Sequence, residues 1–176
     1  MVVGNTPTSI VDLLWGCTCS SSNLKHVIKI RVPPKRMQGR AAEVRIKTGN
    51  LDLALFPGYF CPESTNQQQR NTNTAVSDWF SAQLSALPGR CTPILAGDFN
   101  AKAGLAQVQG QWGPCQEISK SIGPEEPDHE NFNGLTLRGT CDLHHSALVN
   151  TFFSCGPTFW GDTWTSRIDY VAVPES

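Results

Sequence analysis

The sequence predicts an α/β fold, a sheet covered by helices, and three observations predict it. Several short segments alternate apolar with polar residues at period two, the mark of strands with one buried face. Between two of them lies a stretch whose apolar residues keep the three-and-four spacing of a helix. Fifteen glycines and twelve prolines stand against a charged share of only 16%, a balance that favours turns and strands over long solvated helices. At 176 residues the chain has room for one domain with a sizeable core and not for two comfortable ones.

Taken in order, residues 1–9 are polar, small and turn-forming, and residues 1–23 make a poorly determined N-terminal segment, so the domain is placed at residues 24–176. Leu24 to Val32 alternates in its second half and stops at Pro33-Pro34. Ala42 to Lys47 alternates again, Gly49-Asn50 makes a turn, and Leu51 to Phe56 follows as a more buried strand, so the pair reads as an antiparallel hairpin. Pro57 to Asn73 reads as a polar loop. Val76, Trp79, Phe80, Leu84 and Leu87 then form one helical stripe, capped near residues 73–74 and ended by Pro88-Gly89. Thr92 to Ala96 is a short apolar strand. Residues 101–131 lack a period and read as a long surface excursion. A second helix is expected from Asn133-Gly134 to about His144, then a strand at 147–153 and a last one at 167–173.

A formal net charge of −1 excludes a chain-wide attraction to nucleic acid, which requires surplus Lys and Arg. A local patch remains. Lys25, Lys29, Arg31, Lys35, Arg36, Arg40, Arg45 and Lys47 put eight of the fourteen basic residues in one interval, either as the solvated face of two strands or as a contact for a substrate backbone. Seven cysteines form an odd set with no secretory signal ahead of them, which points to free thiols in a reducing, intracellular compartment, the nucleus included. The apolar run from Ile10 to Trp15 is too short to span a bilayer, so a soluble chain without a membrane partner is expected. Cys17-x-Cys19 and Cys141 with His144-His145 lack the paired spacing of a zinc finger.

The chemistry centres on Gly97-Asp98-Phe99-Asn100. It sets a carboxylate and an amide two residues apart at the end of a buried strand, where both side chains emerge on one side of the backbone. Such an Asp ligates a hard cation or accepts a proton from an attacking water, and such an Asn donates to an oxyanion without adding charge. The plain alternative is an Asx turn in which both residues only bond local backbone.

With their flanking segments, these residues resemble the endonuclease/exonuclease/phosphatase family. Asp52 to Phe56 leads to Tyr59-Phe60-Cys61-Pro62, Gly97 to Asn100 follows, and Thr163-Trp164 precedes Arg167-Ile168-Asp169-Tyr170, in the family's order. Asn133-Gly134 and Asn150-Thr151-Phe152 look most like the endonuclease module of non-LTR retrotransposons. The resemblance spans about residues 40–173 and implies a four-layered α/β/β/α sandwich, present here in part. It implies Mg2+ or Mn2+ as cofactor, held by Asp98 and Asn100. It also gives Asp98, Asn100, Tyr59 and Asp169 catalytic roles: Tyr59 touching the scissile phosphate, Asp98 moving a proton, Asn100 steadying the phosphorane, and Asp169 orienting a histidine. Trp164 and Arg167 are substrate-binding candidates, with Trp164 either stacking on a nucleotide or serving the core.

The family's Gln-Glu strand and its Ser-Asp-His segment are not recognisable in this sequence, and none of its four histidines follows Asp169. A polypeptide so composed is expected to bind Mg2+ weakly, to cleave nucleic acid poorly or not at all, and to expose an apolar sheet face. The expected activity is that of a DNA endonuclease domain. The alternatives are a phosphoesterase of the same family with a lipid or RNA substrate, and a catalytically dead remnant or nucleic-acid-binding module.

Overall fold

The structure, a computed structural model, describes residues 26–63, 65–104, 119–125 and 129–175. Among these residues, eight strands and two α-helices occur in the order β1 (Val27–Arg31), β2 (Glu43–Thr48), β3 (Leu51–Tyr59), α1 (Gln67–Ser85), β4 (Thr92–Asp98), α2 (Phe132–Leu143), β5 (Ser146–Leu148), β6 (Phe159–Trp160), β7 (Thr165–Ser166) and β8 (Asp169–Pro174). Six of the strands form one sheet in the order β1-β2-β3-β4-β8-β5, and β6 pairs with β7 alone.

The expected hairpin is β2–β3, with Thr48 opposite Leu51 across Gly49-Asn50. β3 then runs parallel to β4 with α1 as the crossover, since parallel neighbours need a long connection. β3 is longer than its apolar pattern suggests. Its extension through Pro57-Gly58-Tyr59 pairs with Ala96-Gly97-Asp98, because the two glycines let the backbones close up where a patterned side chain would have been expected.

α1 starts earlier than the stripe indicates. Asn66 accepts from the Gln68 N–H at 2.9 Å and caps the helix, and the glutamines that read as loop are good helix formers. Asn73, taken for the cap region, is instead buried inside the helix. The strand expected at 147–153 is cut to three residues, followed by a 3-10 turn at Val149–Thr151. Asn150 explains this, because its side chain bonds the Asp169 carbonyl at 2.9 Å and the Val171 N–H at 3.4 Å and so replaces strand pairing with β8. The last strand begins at Asp169 rather than Arg167. Of the 101–131 excursion, residues 105–118 and 126–128 lie outside the described residues. The segment between them is fixed to the fold, with Ser121 and Ile122 buried and the Leu148 N–H donating to the Ser121 carbonyl at 2.8 Å.

Both helices cover one face of the sheet. Val76 and Phe80 of α1 and Leu137 and Cys141 of α2 pack with Ala54, Phe56, Leu95, Tyr170 and Ala172. The opposite face carries the in-register row Ile30, Val44, Leu55, Ile94 and the pair Ala96–Val171. Ile30 is 38% exposed and Val171 40%. Among the described residues the structure therefore has two of the four expected layers, one large sheet and one helix layer. A face of this kind should bind a hydrophobic dye in the native state. Fluorescence of such a dye, measured well below the denaturation midpoint, is expected to exceed that of a compact control protein several-fold.

Acidic partners take up part of the basic interval. Arg31 pairs with Glu43 at 3.0 Å, and Arg45 grips Asp52 through two 2.8 Å bonds while Arg90 approaches the same carboxylate at 3.3 Å. The Arg45 bond, then Arg90, holds the Asp52 carboxyl well below the usual carboxylate range. Lys25 lies outside the described residues. The four described cysteines are unpaired. Burial pushes the Cys141 thiol up to about 12, which disfavours the thiolate a metal would need. Cys17 and Cys19 lie outside the described residues. No helix among the described residues is long and apolar enough to cross a membrane.

Candidate active site at the strand ends

Tyr59, Asp98 and Asp169 are in-register neighbours on β3, β4 and β8. Residues so paired share a face, about 4.8 Å from strand to strand. They stand on the face opposite the helices, at one end of its apolar row.

The backbone beneath them is tightly determined. A Cβ on Gly97 would lie 1.9 Å from the Gly58 carbonyl oxygen, so only glycine lets β3 and β4 meet at this level. Phe99, fully buried, turns to the helix side, packs edge-on against Phe60 at 5.2 Å, and donates its N–H to the Ile168 carbonyl at 3.0 Å. Asn100 has a left-handed φ of 44°, a conformation that asparagine tolerates better than most residues. The chain thereby leaves the strand at Asn100.

Asp98 Oδ1 accepts the Asn100 N–H at 3.0 Å, so the Asx turn is present. The other carboxylate oxygen has no hydrogen bond among the described residues. Burial raises the Asp98 pKa above its usual 3.8, the Asn100 N–H lowers it by less, and the neighbouring Asp169 charge adds the smallest contribution, upward. A carboxyl whose folded pKa is raised lowers stability above that pKa, and the penalty disappears as pH falls below the unfolded value. Asp98→Asn is therefore expected to raise the Tm at pH 7, with no gain near pH 3. Thermal melts of both proteins at the two pH values check this.

Buried asparagines that sequence reasoning did not assign hold the loop behind the carboxylates. Asn133 Nδ2 donates to the carbonyls of Cys61 at 2.9 Å, Asn100 at 3.1 Å and Phe99 at 3.2 Å, and its Oδ1 accepts from Asn73 Nδ2 at 2.9 Å. Asn73 in turn brackets the Cys61 backbone, accepting from its N–H at 2.8 Å and donating to its carbonyl at 3.0 Å. Asn131 caps α2 through the Gly134 N–H at 2.7 Å and also accepts the Lys102 N–H at 2.9 Å. A Cβ on Gly134 would lie 2.0 Å from the Lys102 carbonyl oxygen, so the start of α2 is fitted against the loop that follows Asn100. The available signal was the cluster of asparagines around both helix starts, which reads as capping alone.

Asn100 Nδ2 is spent on the Phe60 carbonyl at 2.9 Å, which aims its Oδ1 from a fixed amide plane. Asp169 is placed through its backbone, with its N–H on Thr158 Oγ1 at 3.1 Å and its carbonyl on Asn150. Tyr170, buried on the other face, accepts the Ala103 N–H at 3.0 Å and ties the same loop to β8. Trp164 is 53% exposed in the β6–β7 hairpin, with its ring against Phe159 at 4.8 Å and Lys102 Nζ above it at 5.6 Å. Arg167 is 5% exposed, and its guanidinium reaches the carbonyls of Gly156 at 3.3 Å and Glu125 at 3.5 Å. The structure thus brings Tyr59, Asp98, Asn100 and Asp169 together, sets Trp164 beside Lys102, and turns Arg167 toward loop backbone. His144 and His145 lie at the far end of α2 from Asn131. No group of three or more His, Cys, Asp or Glu side chains suited to a metal ion occurs among the described residues.

This architecture is shared with solved structures at low identity. An AP endonuclease from Leishmania major matches with a TM-score of 0.51 at 14% identity, over 88% of this chain and 55% of its own. A humanised TDP2 of D. rerio matches at 0.50 and 13%, over 84% of this chain and 50% of its own. The chain carries part of the endonuclease/exonuclease/phosphatase fold. The endonuclease domain of TRAS1, a telomere-specific non-LTR retrotransposon, is similar at a TM-score of 0.47 and 19% identity, over 84% of this chain and 56% of its own. The chain spans about half the length of the structures it matches. No family model matches the sequence, and no curated protein does. Within the endonuclease/exonuclease/phosphatase fold, the row Tyr59–Asp98–Asp169 occupies the ends of three adjoining strands of one sheet.

Proposed function

We propose that the chain is the core of a metal-dependent phosphodiesterase of the retroelement endonuclease type, with DNA as substrate and with weak cleavage by this polypeptide alone. The observation that supports it best is the in-register pair Asp98–Asp169, two carboxylates side by side at strand ends with one Asp98 oxygen free of hydrogen bonds among the described residues.

The donor set suits a hard cation. Asp98, Asn100 Oδ1 and Asp169 are all oxygen donors, and Mg2+ is commonly held by one or two carboxylates with water completing its shell. A cation would offset the burial that chiefly raises the Asp98 pKa and the smaller repulsion from Asp169. When bound, Mg2+ or Mn2+ would neutralise phosphate charge and ease deprotonation of water. The free Asp98 oxygen accepts the proton of the attacking water, the Tyr59 hydroxyl donates to a phosphate oxygen, and the fixed Asn100 amide sets the position of both. Millimolar Mg2+ is expected to raise the Tm of the protein slightly and not that of Asp98→Asn, because two carboxylates make a weak site. An equal shift in both proteins would move the cation elsewhere.

A base in this position is worth roughly 10²–10⁴-fold. Slow Mg2+-dependent nicking of supercoiled plasmid, reduced about 100-fold or more in Asp98→Ala, is the expected result. Nicking that survives the substitution would sink the assignment. A nucleic-acid-binding module without cleavage is the second reading, favoured by the exposed rings of Trp160 (69%) and Trp164 (53%), the latter beside Lys102. A salt-dependent shift of single-stranded DNA with no nicking at any metal concentration would select it.

A further inference from the structure

We propose that Arg40, stacked on Tyr59, is an oxyanion-binding residue that extends the candidate active site by one position beyond β3. Its backbone is fixed on both sides: the Arg40 N–H donates to the Met37 carbonyl at 3.1 Å and its carbonyl accepts the Tyr59 N–H at 2.8 Å. Ala41 bridges Gly58 next to it. Arg40, Tyr59, Asp98 and Asp169 therefore form one row across the sheet, cationic at one end and anionic at the other.

The guanidinium lies over the Tyr59 ring at 5.4 Å. Its Nη1 is buried without a hydrogen-bond partner, and no acidic side chain among the described residues pairs with it. This contrasts with Arg31, Arg45 and Arg138, each of which is neutralised by a carboxylate at 2.8–3.0 Å. Withdrawing part of a cation from water without an anion is unfavourable, and the ring offsets only a fraction of it. Two strand spacings, about 10 Å, separate Arg40 from Asp98, so the acids of the row cannot serve as its partner.

The guanidinium fork accepts a tetrahedral oxyanion through parallel N–H bonds, and the half-exposed Tyr59 hydroxyl adds a donor beside it. Phosphate oxygens are the class that fits, held at the basic end of the row and kept off the carboxylates by repulsion. The inference deepens the phosphodiesterase reading and rests on it for the biological ligand, a phosphate of the substrate backbone. The anion site itself is measurable without turnover.

The chain has two tyrosines, so ring signals of tyrosine-labelled protein can be followed by NMR during titration with inorganic phosphate, with Tyr59→Phe identifying the Tyr59 resonance. A saturable shift of the Tyr59 signal with Tyr170 unmoved is expected, weakened at least tenfold in Arg40→Gln and less in Arg40→Lys, which keeps the charge and guards against a folding defect. No saturable response in the unaltered protein, or the same affinity in Arg40→Gln, would overturn the proposal. Failure of the nuclease reading has a different signature: phosphate binding that depends on Arg40, with no metal-dependent nicking.

Discussion

Gly97→Ala is expected to destabilise the protein by about 3 kcal/mol or more, at the upper end of what overpacking costs. The added methyl would lie 1.9 Å from the Gly58 carbonyl oxygen and 2.9 Å from the Gly58 nitrogen. Both are backbone atoms of a central strand, so relief requires β3 and β4 to separate where they pair in register. Gly58→Ala is the informative comparison. Its methyl would meet the Phe99 ring at 2.5 Å, a side chain able to shift at the expense of its packing on Phe60, so the loss should be smaller. Urea unfolding of the two variants gives the order directly. Equal midpoints would mean that the strand ends are looser than the glycine pair implies. A domain of this size commonly holds roughly 5–15 kcal/mol in total, so the Gly97 substitution removes a large share.

Asn133→Ala is expected to cost about 3 kcal/mol as well, by a different route. It strips one amide from the carbonyls of Cys61, Phe99 and Asn100 and leaves Asn73 without its side-chain partner. A buried polar group deprived of its partner costs about 1–3 kcal/mol, and the network shares its bonds, so the losses do not simply add. The variant should also loosen the loop that carries Asn100. Hydrogen exchange at the Asn100 and Lys102 amides, bonded respectively to Asp98 and Asn131, would then accelerate more than exchange in β2. Uniform acceleration across the sheet would place the effect in global stability alone.

Much of the fold was legible because it is written in local patterns. Period-two alternation marked β1 and β2, an apolar run after a Gly-Asn turn marked β3, the Val76–Phe80 stripe marked α1, and the two motif segments landed on β4 and β8. What escaped was set by tertiary contact. Nothing local shows that Pro57-Gly58-Tyr59 continues a strand, because the reason is a glycine on another strand. Asn150 ends β5 by bonding β8, and Asn66 rather than residues 73–74 starts α1. At the site, the type and order of Tyr59, Asp98, Asn100 and Asp169 were readable, and their juxtaposition on one face was not. Arg167, adjacent to Asp169 in the motif, was expected to face substrate and instead bonds loop carbonyls from a buried position. Arg40 was readable only as one of eight residues in a basic interval, and nothing singled it out until its missing partner is seen.

The position of β8 bears on how the molecule is made. This strand lies inside the sheet, between β4 and β5, although every other strand of that sheet precedes it in the chain. As the polypeptide leaves the ribosome, β1 to β4 and α1 can assemble early as a local unit. Among the described residues, however, β5 has no partner strand until β8 arrives, and Asp98 faces no second carboxylate across the sheet. The pair of acids, with the repulsion it brings, is therefore created only when β8 inserts between β4 and β5.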